Sequence, residues 1–327
     1  MQERTTAHLP EDAFLEQFMG AMALDSALRN GLIDALRNGQ PMPQSRSADI
    51  LSAMLESNGV LSEGRLTARF TKVIDHRRSI LEQKLRFLRL AAKDVTNGLD
   101  DLLGDLPAFM AQSETFALFR YDKAMQTDPA ALDATRPWVD YVTALSQAEA
   151  PALVPHLPLQ GARRLLEVGG NTGVMARAAL EMYPDLSAAI LDLPAVCAIG
   201  EEIGAHPRLT FVPGDGRTPD WPLVDGARPD VILFKSVLHD WPQDQAMLML
   251  AHAINHVAPS GRVIICERGA FQGGPMPFWM TANLVFAPFY RPASEYHTAL
   301  SAKGLTDVVQ KDVALDMTFH IVSGRKP

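Results

Sequence analysis

Arg-Leu-Leu-Glu-Val-Gly-Gly-Asn-Thr-Gly, residues 164–173, runs a short apolar stretch into a glycine-rich turn, and polar signals recur at the ends of the apolar runs that follow. Ile-Leu-Asp-Leu-Pro comes at 190–194, Val-Pro-Gly-Asp-Gly at 212–216, and Phe-Lys-Ser-Val-Leu-His-Asp-Trp-Pro at 234–242. Glu167, Asp192, Asp215 and Lys235 are 25, 23 and 20 residues apart. That is the repeat of consecutive strand–helix units, and it puts each polar group at the carboxyl end of a strand, where open α/β sheets bind ligands.

Outward from this stretch the pattern continues. Strands are expected near 164–169, 187–191, 208–213, 229–235 and 261–267, with helices near 173–183, 194–204 and 243–257. Such alternation predicts a parallel sheet covered on both faces. Met247, Leu250, Ile254 and Val257 give the third helix a stripe of buried spacing. The tail departs from the repeat: a helix over 294–303 stops at Gly304, and runs at 306–313 and 317–323 read as a closing hairpin.

The first 150 residues are mostly helical in pattern. Phe14, Phe18, Met22, Leu28, Leu32 and Leu36 predict a helix over 13–37. A second helix through Leu51, Met54 and Leu55 stops at Asn58-Gly59, and 60–70, centred on Gly64, suits a small hairpin, so that helix, helix and hairpin resemble a winged-helix unit. Helices are expected over 77–96 and 128–150, with Pro137 starting or kinking the latter. Pro151 to Gly161, holding three prolines and a glycine, reads as the hinge between a domain over 1–150 and another over 151–327.

The bulk composition narrows the class. A net charge of −8 argues against wholesale nucleic-acid binding, and 47% hydrophobic with 21% charged residues is ordinary for a soluble globular chain. Cys197 and Cys266 sit in apolar runs and suggest no disulfide framework. Residues 1–13 have no apolar leader core, and no apolar run is long enough to span a bilayer. A cytoplasmic protein without a membrane partner is expected.

Gly169, Gly170 and Gly173 let backbone pass close to a ligand at a helix start. The order Gly-Gly-Asn-Thr-Gly is not the Gly-x-Gly-x-x-Gly of dinucleotide binders, and Glu167 lies just before the turn. A carboxylate there would repel a diphosphate but favour the ammonium and sulfonium charges of S-adenosylmethionine over NAD. Asp192 suits both ribose hydroxyls, and Asp215-Gly216 falls where an adenine edge would reach.

Over 161–267 the chain resembles the S-adenosylmethionine-dependent O-methyltransferases similar to plant caffeic acid O-methyltransferase and to bacterial enzymes that methylate phenolic natural products. Glu-Val-Gly-Gly-Asn-Thr-Gly, Leu-Asp-Leu-Pro, Gly-Asp-Gly and Lys-Ser-Val-Leu-His-Asp-Trp follow that family's order and spacing. The resemblance implies an α/β fold, with a Rossmann-like, mostly parallel seven-stranded methyltransferase sheet and a helical, winged-helix-like amino-terminal domain serving homodimerisation and substrate closure. It implies Gly169, Asp192, Asp215, Gly216 and Lys235 at the cofactor, His239 as general base, and Glu267 orienting that histidine; Glu167 joins the cofactor set through its charge. The family's second carboxylate matches Tyr290 here, and Asn171 stands for a third consecutive glycine.

A phenol is a poor nucleophile until its proton is taken, which a histidine can do. Asp240, beside His239, could alternatively cap the helix starting near Pro242. Trp138, Phe278, Trp279, Met280, Asn283, Phe286 and Tyr290 are candidates for the wall of an aromatic acceptor pocket. His252 and His256 have metal-pair spacing without an intervening Glu, and no metal is expected. Arg65 to Lys93 holds nine basic residues against Asp75 and Glu82; a solvated face or dimer seam is expected there, not DNA contact. The rival readings are a C- or N-methyltransferase or a non-methylating enzyme of this fold, a ligand-sensing winged-helix regulator, and a nicotinamide dehydrogenase.

Overall fold

Glycine and capping residues set the breaks of the amino-terminal helices. The computed structural model describes residues 18–270, 277–315 and 317–327, so Ala13 and Phe14, the start of the first expected helix, lie outside the described residues. That helix is two, Phe18–Arg29 and Leu32–Arg37, because Gly31 adopts φ 72°, which ends the first and starts the second. Helix Arg46–Ser57 is capped by Ser45, whose hydroxyl accepts from the Ala48 N–H at 3.1 Å. Strands β1 (Leu61–Ser62) and β2 (Arg65–Leu66) pair antiparallel around Gly64, giving the expected hairpin. Thr67 then caps one long helix, Ala68–Gly104, bent at Gly98.

The chain divides into two compact units: one holds residues up to Ala117 together with Gly273–Phe286, the other Leu118–Gln272 and Ala287–Pro327. The domain boundary expected at 150/151 therefore differs from the division found. Helix Pro129–Leu153, capped by Asp128, belongs to the second unit, and Pro151 lies inside its last turn. A proline removes one helical hydrogen bond and crowds the carbonyl four residues back, which this helix tolerates without ending. In the first unit the basic stretch is partly neutralised: Arg78 pairs with Asp34 and Glu82, Arg89 with Asp25, and Lys93 with Glu114.

The second unit is built on a seven-stranded sheet: β3 (Arg164–Val168), β4 (Ser187–Asp192), β5 (Leu209–Pro213), β6 (Val231–Lys235), β7 (Arg262–Arg268), β8 (Thr306–Ala314) and β9 (Thr318–Arg325). Their order is β5-β4-β3-β6-β7-β9-β8. The first five run parallel, and β9 pairs antiparallel with both β7 and β8. Strand order reverses between β3 and β6, the switch point where such sheets open a crevice at their carboxyl ends. The predicted strands and the helices Val174–Met182, Pro194–Glu202, Gln243–His256 and Ala293–Ala302 are found within a few residues.

Alternation along each strand divides the core between the two faces. Leu165, Leu233, Ile264, Cys266 and Phe319 pack with Leu153, Met175 and Ala179 on one side. Leu166, Phe234, Ile265 and Val322 pack with Leu250, Ala253, Tyr296 and Leu300 on the other. Glu167 and Lys235 continue the first face, with Arg268 two residues beyond Cys266; Glu267 continues the second. Among the described residues no helix is long and apolar enough to cross a membrane.

Candidate active site

Backbone geometry after β3 makes a close-approach loop. Gly169 has φ 68° and Asn171 φ 52°; a Cβ on Gly169 would sit 2.6 Å from Val237 Cγ2. The Asn171 N–H donates to Asp192 Oδ2 and the Leu193 N–H to Asp192 Oδ1, each at 2.7 Å. Asp192 thus fixes the loop while each oxygen keeps a lone pair. Burial pushes its carboxyl up to about 6, against the pull of the two N–H groups. Glu167 lies behind the loop, its Oε2 accepting from the Ala176 N–H at 3.1 Å, and burial raises it to about 8 against the attraction of Lys235.

Helix Pro129–Leu153 is tied to this loop. Asn171 Nδ2 donates to the Val139 carbonyl at 3.3 Å, and the Thr143 and Thr172 hydroxyls are 2.8 Å apart. The same helix presents Glu149, which changes the reading of Lys235. Lys235 Nζ donates to Glu149 Oε2 at 2.5 Å, and Arg268 takes the other oxygen. All three residues are buried, with Arg268 stacked on Phe319 at 4.7 Å. Lys235, expected at the cofactor, has its ammonium paired with Glu149.

Asp215 follows β5, and Arg217 donates to both of its oxygens from Nε, Nη2 and the backbone N–H. The Arg217 guanidinium lies over the Trp241 ring, 4.2 Å from its centroid. This pair holds the Asp215 carboxyl below its ordinary range, the Arg217 hydrogen bonds outweighing burial.

The β6 end carries the histidine. His239 Nδ1 is 2.6 Å from Glu267 Oε2, and Glu267 Oε1 accepts the N–H groups of Val237 and Leu238, both at 2.8 Å. Glu267 is 1% exposed. Burial works against its charge, but His239 and these N–H donors win and hold its carboxyl below the usual range. Burial also opposes an imidazolium, yet Glu267 and Asp240 outweigh it and raise His239. With Glu267 ionised, Nδ1 must donate, which leaves Nε2 as the acceptor. Nε2 lies 3.3 Å from Asp240 Oδ1, and Tyr121 donates its hydroxyl to Asp240 Oδ2 at 3.0 Å. Asp240 makes no helix cap; Pro242 occupies that position.

Tyr290 packs edge-on to His239, ring centroids 5.1 Å apart. Trp138 is in the same unit, beside Phe119 and Tyr121, its indole N–H buried without a partner among the described residues. Trp279, Met280 and Asn283 belong to the other unit, where Phe278 meets Phe18 and Phe286 stacks on Phe87. His252 and His256 sit against the carbonyls of Arg217 and Pro222, and no cluster of metal-ligating residues occurs among the described residues.

Glu149, Arg217, Tyr121 and Arg291 were not singled out from the sequence. For Glu149 a signal exists: with Ser146 and Leu153 it falls on one face of a helix whose neighbouring positions are apolar. Arg291, which donates to the carbonyls of Leu238 and Trp241 at 2.6 Å, gives none, since its partners lie some fifty residues away.

Residues 122–304, more than half of the chain, match the O-methyltransferase domain family. The chain belongs to this family. Among its O-methyltransferase relatives, 3-hydroxy-5-methyl-1-naphthoate 3-O-methyltransferase of Streptomyces sahachiroi is 28% identical over 271 residues, covering 75% of this chain and 72% of the relative. Demethylspheroidene O-methyltransferase of Rhodobacter capsulatus is 34% identical over 153 residues, 47% of this chain, and the match spans only 36% of that relative's length. A solved structure of PigF with SAH superposes with a TM-score of 0.74 at 20% identity, covering 94% of this chain and 96% of that one, and shares the fold.

Proposed function

We propose that this O-methyltransferase family member transfers a methyl group from S-adenosylmethionine to a hydroxyl of a small aromatic or polyketide-like metabolite, with His239 as general base. The observation that carries this reading is the buried His239–Glu267 pair, whose geometry directs the Nδ1 proton at Glu267 and leaves Nε2, 3.3 Å from Asp240 Oδ1, as the nitrogen that accepts a proton.

The residues present suit the donor. Gly169 turns the chain with φ 68°, and packing holds it and Gly216 to glycine, since a Cβ would meet Val237 in one case and Val168, at 2.8 Å, in the other. Asp192 would take the ribose hydroxyls, Asp215 the adenine amine, and Glu167 would favour the positive charges. Lys235, which the resemblance puts in this set, has its ammonium paired with Glu149. S-adenosylmethionine supplies, when bound, an electrophilic methyl on a sulfonium. Glu267 fixes the tautomer of His239, His239 takes the acceptor's proton, and Trp138 and Tyr290 offer aromatic surface.

Incubation with the donor and a panel of phenols, followed by mass analysis, tests this: a mass gain of one methyl at oxygen, with one S-adenosylhomocysteine per product, is expected. Products unchanged in mass across the panel would reject it. Tyr290 against His239, in place of the family's second carboxylate, favours a second reading, carbon methylation, which fragmentation of the same products separates. The chain's partner is assigned as a second copy of itself, on the strength of the family resemblance; light scattering at twice the chain mass is expected, and a monomer refutes it.

A further inference from the structure

Resting on that donor assignment, we infer that Arg217 is an internal competitor for the adenine base and sets the affinity for the adenosyl group. An aminopurine site needs an acceptor for the exocyclic amine and an aromatic face for the ring. Asp215 and Trp241 offer both, and Arg217 engages both. Its Nε lies 3.0 Å from Asp215 Oδ1 and 3.1 Å from Oδ2, Nη2 lies 2.6 Å from Oδ2, and the backbone N–H reaches Oδ1 at 2.9 Å. Its guanidinium covers the indole of Trp241. A planar cation with N–H donors along its edge takes the acceptor that an adenine amine would use and the aromatic face that its ring would cover. A carboxylate has about four acceptor sites, and Arg217 engages Asp215 through four contacts.

The backbone here has little freedom to yield. The Asp215 carbonyl accepts from both the N–H and the hydroxyl of Thr218, at 2.9 and 2.8 Å. His252 Nε2 holds the Arg217 carbonyl at 3.2 Å, and Gly216 is wedged against Val168 and Met249. The side chain is what moves. Arg217 is 37% exposed against 16% for Asp215, so a rotation of its side chain carries the guanidinium into water, uncovers the indole and leaves the carboxylate only the backbone N–H contact at Oδ1.

Calorimetric titration of the full chain with S-adenosylhomocysteine decides the matter. Removing the competitor in Arg217→Ala is expected to lower Kd about three- to tenfold, the scale of a half-exposed ion pair with a cation–π contact. Arg217→Lys, which keeps the charge but not the planar fork, is expected to fall between. Adding Asp215→Asn to Arg217→Ala should abolish the gain. Equal or weaker binding by a folded Arg217→Ala protein overturns the inference while leaving the donor assignment intact. If neither the wild type nor any variant binds, the donor assignment itself fails and the inference with it; if only Arg217→Ala binds, competition is stronger than stated.

Discussion

Glu267 grips the turn that carries His239 at three points: one carboxylate oxygen holds the imidazole at 2.6 Å, and the other holds the N–H groups of the two residues just before it. Position and tautomer of the histidine therefore depend on one buried side chain. Removing its charge acts on both.

The first expected outcome concerns pH. His239 is raised above the ordinary histidine value by Glu267 and Asp240, in spite of burial. Arg268 pulls it down, Tyr121 binds Asp240, and Tyr290 packs on the ring. A base must be neutral, so kcat/KM should climb with pH along a limb centred above about 6.5. In Glu267→Gln the imidazolium loses its main partner, and the limb should move to lower pH while kcat drops about 10²-fold or more. The stability contribution has the opposite sense for the two partners. The His239 part is complete at low pH and fades as pH rises through its raised pKa, whereas the Glu267 part is complete at neutral pH and fades as pH falls through its lowered pKa. A pH–rate profile that Glu267→Gln leaves in place would show that Glu267 does not act on the base.

A second outcome concerns Glu149. Glu149→Leu leaves the ammonium of Lys235 and the guanidinium of Arg268 buried without their shared carboxylate. Breaking such a pair from one side costs about 3–5 kcal/mol. Urea unfolding should show that loss, and the double variant Glu149→Leu with Lys235→Met should recover part of it. A loss below about 1 kcal/mol would place Glu149 among surface-like pairs.

The third outcome follows from Glu167, which burial raises to about 8. A positively charged ligand beside it favours the carboxylate, so binding S-adenosylmethionine at pH 7 should release a proton. Titrations in buffers of different ionisation heat measure this directly, and Glu167→Gln should remove the effect. Binding heats that do not depend on the buffer would sever Glu167 from the ligand.

Much of this was legible in the sequence, for identifiable reasons. The spacing of Glu167, Asp192 and Asp215 reports a local repeat, and each residue stands at or just past the end of its predicted strand. His239 lies on the turn four residues past β6 and Glu267 near the end of the neighbouring parallel β7; in the sequence it is the family resemblance, not the strand pattern, that pairs them. The pairing of Lys235 gives no signal in the sequence because its partner, Glu149, lies 86 residues earlier on a helix, and strand position says nothing about which side chain meets it there. Pro151, expected at a hinge, lies inside a helix, because a proline in a last turn interrupts one bond without ending the helix. A run of periodic apolar residues passes across Gly31 and masks it in the sequence, yet its left-handed φ breaks that run in two.

The most direct test is the single-turnover rate of methyl transfer by wild type and His239→Ala, each saturated with S-adenosylmethionine and a phenol that the wild type methylates. Unaltered donor affinity with a rate lower by about 10²- to 10⁴-fold is expected of a general base. Equal rates in the two proteins would show that the proton leaves by another route.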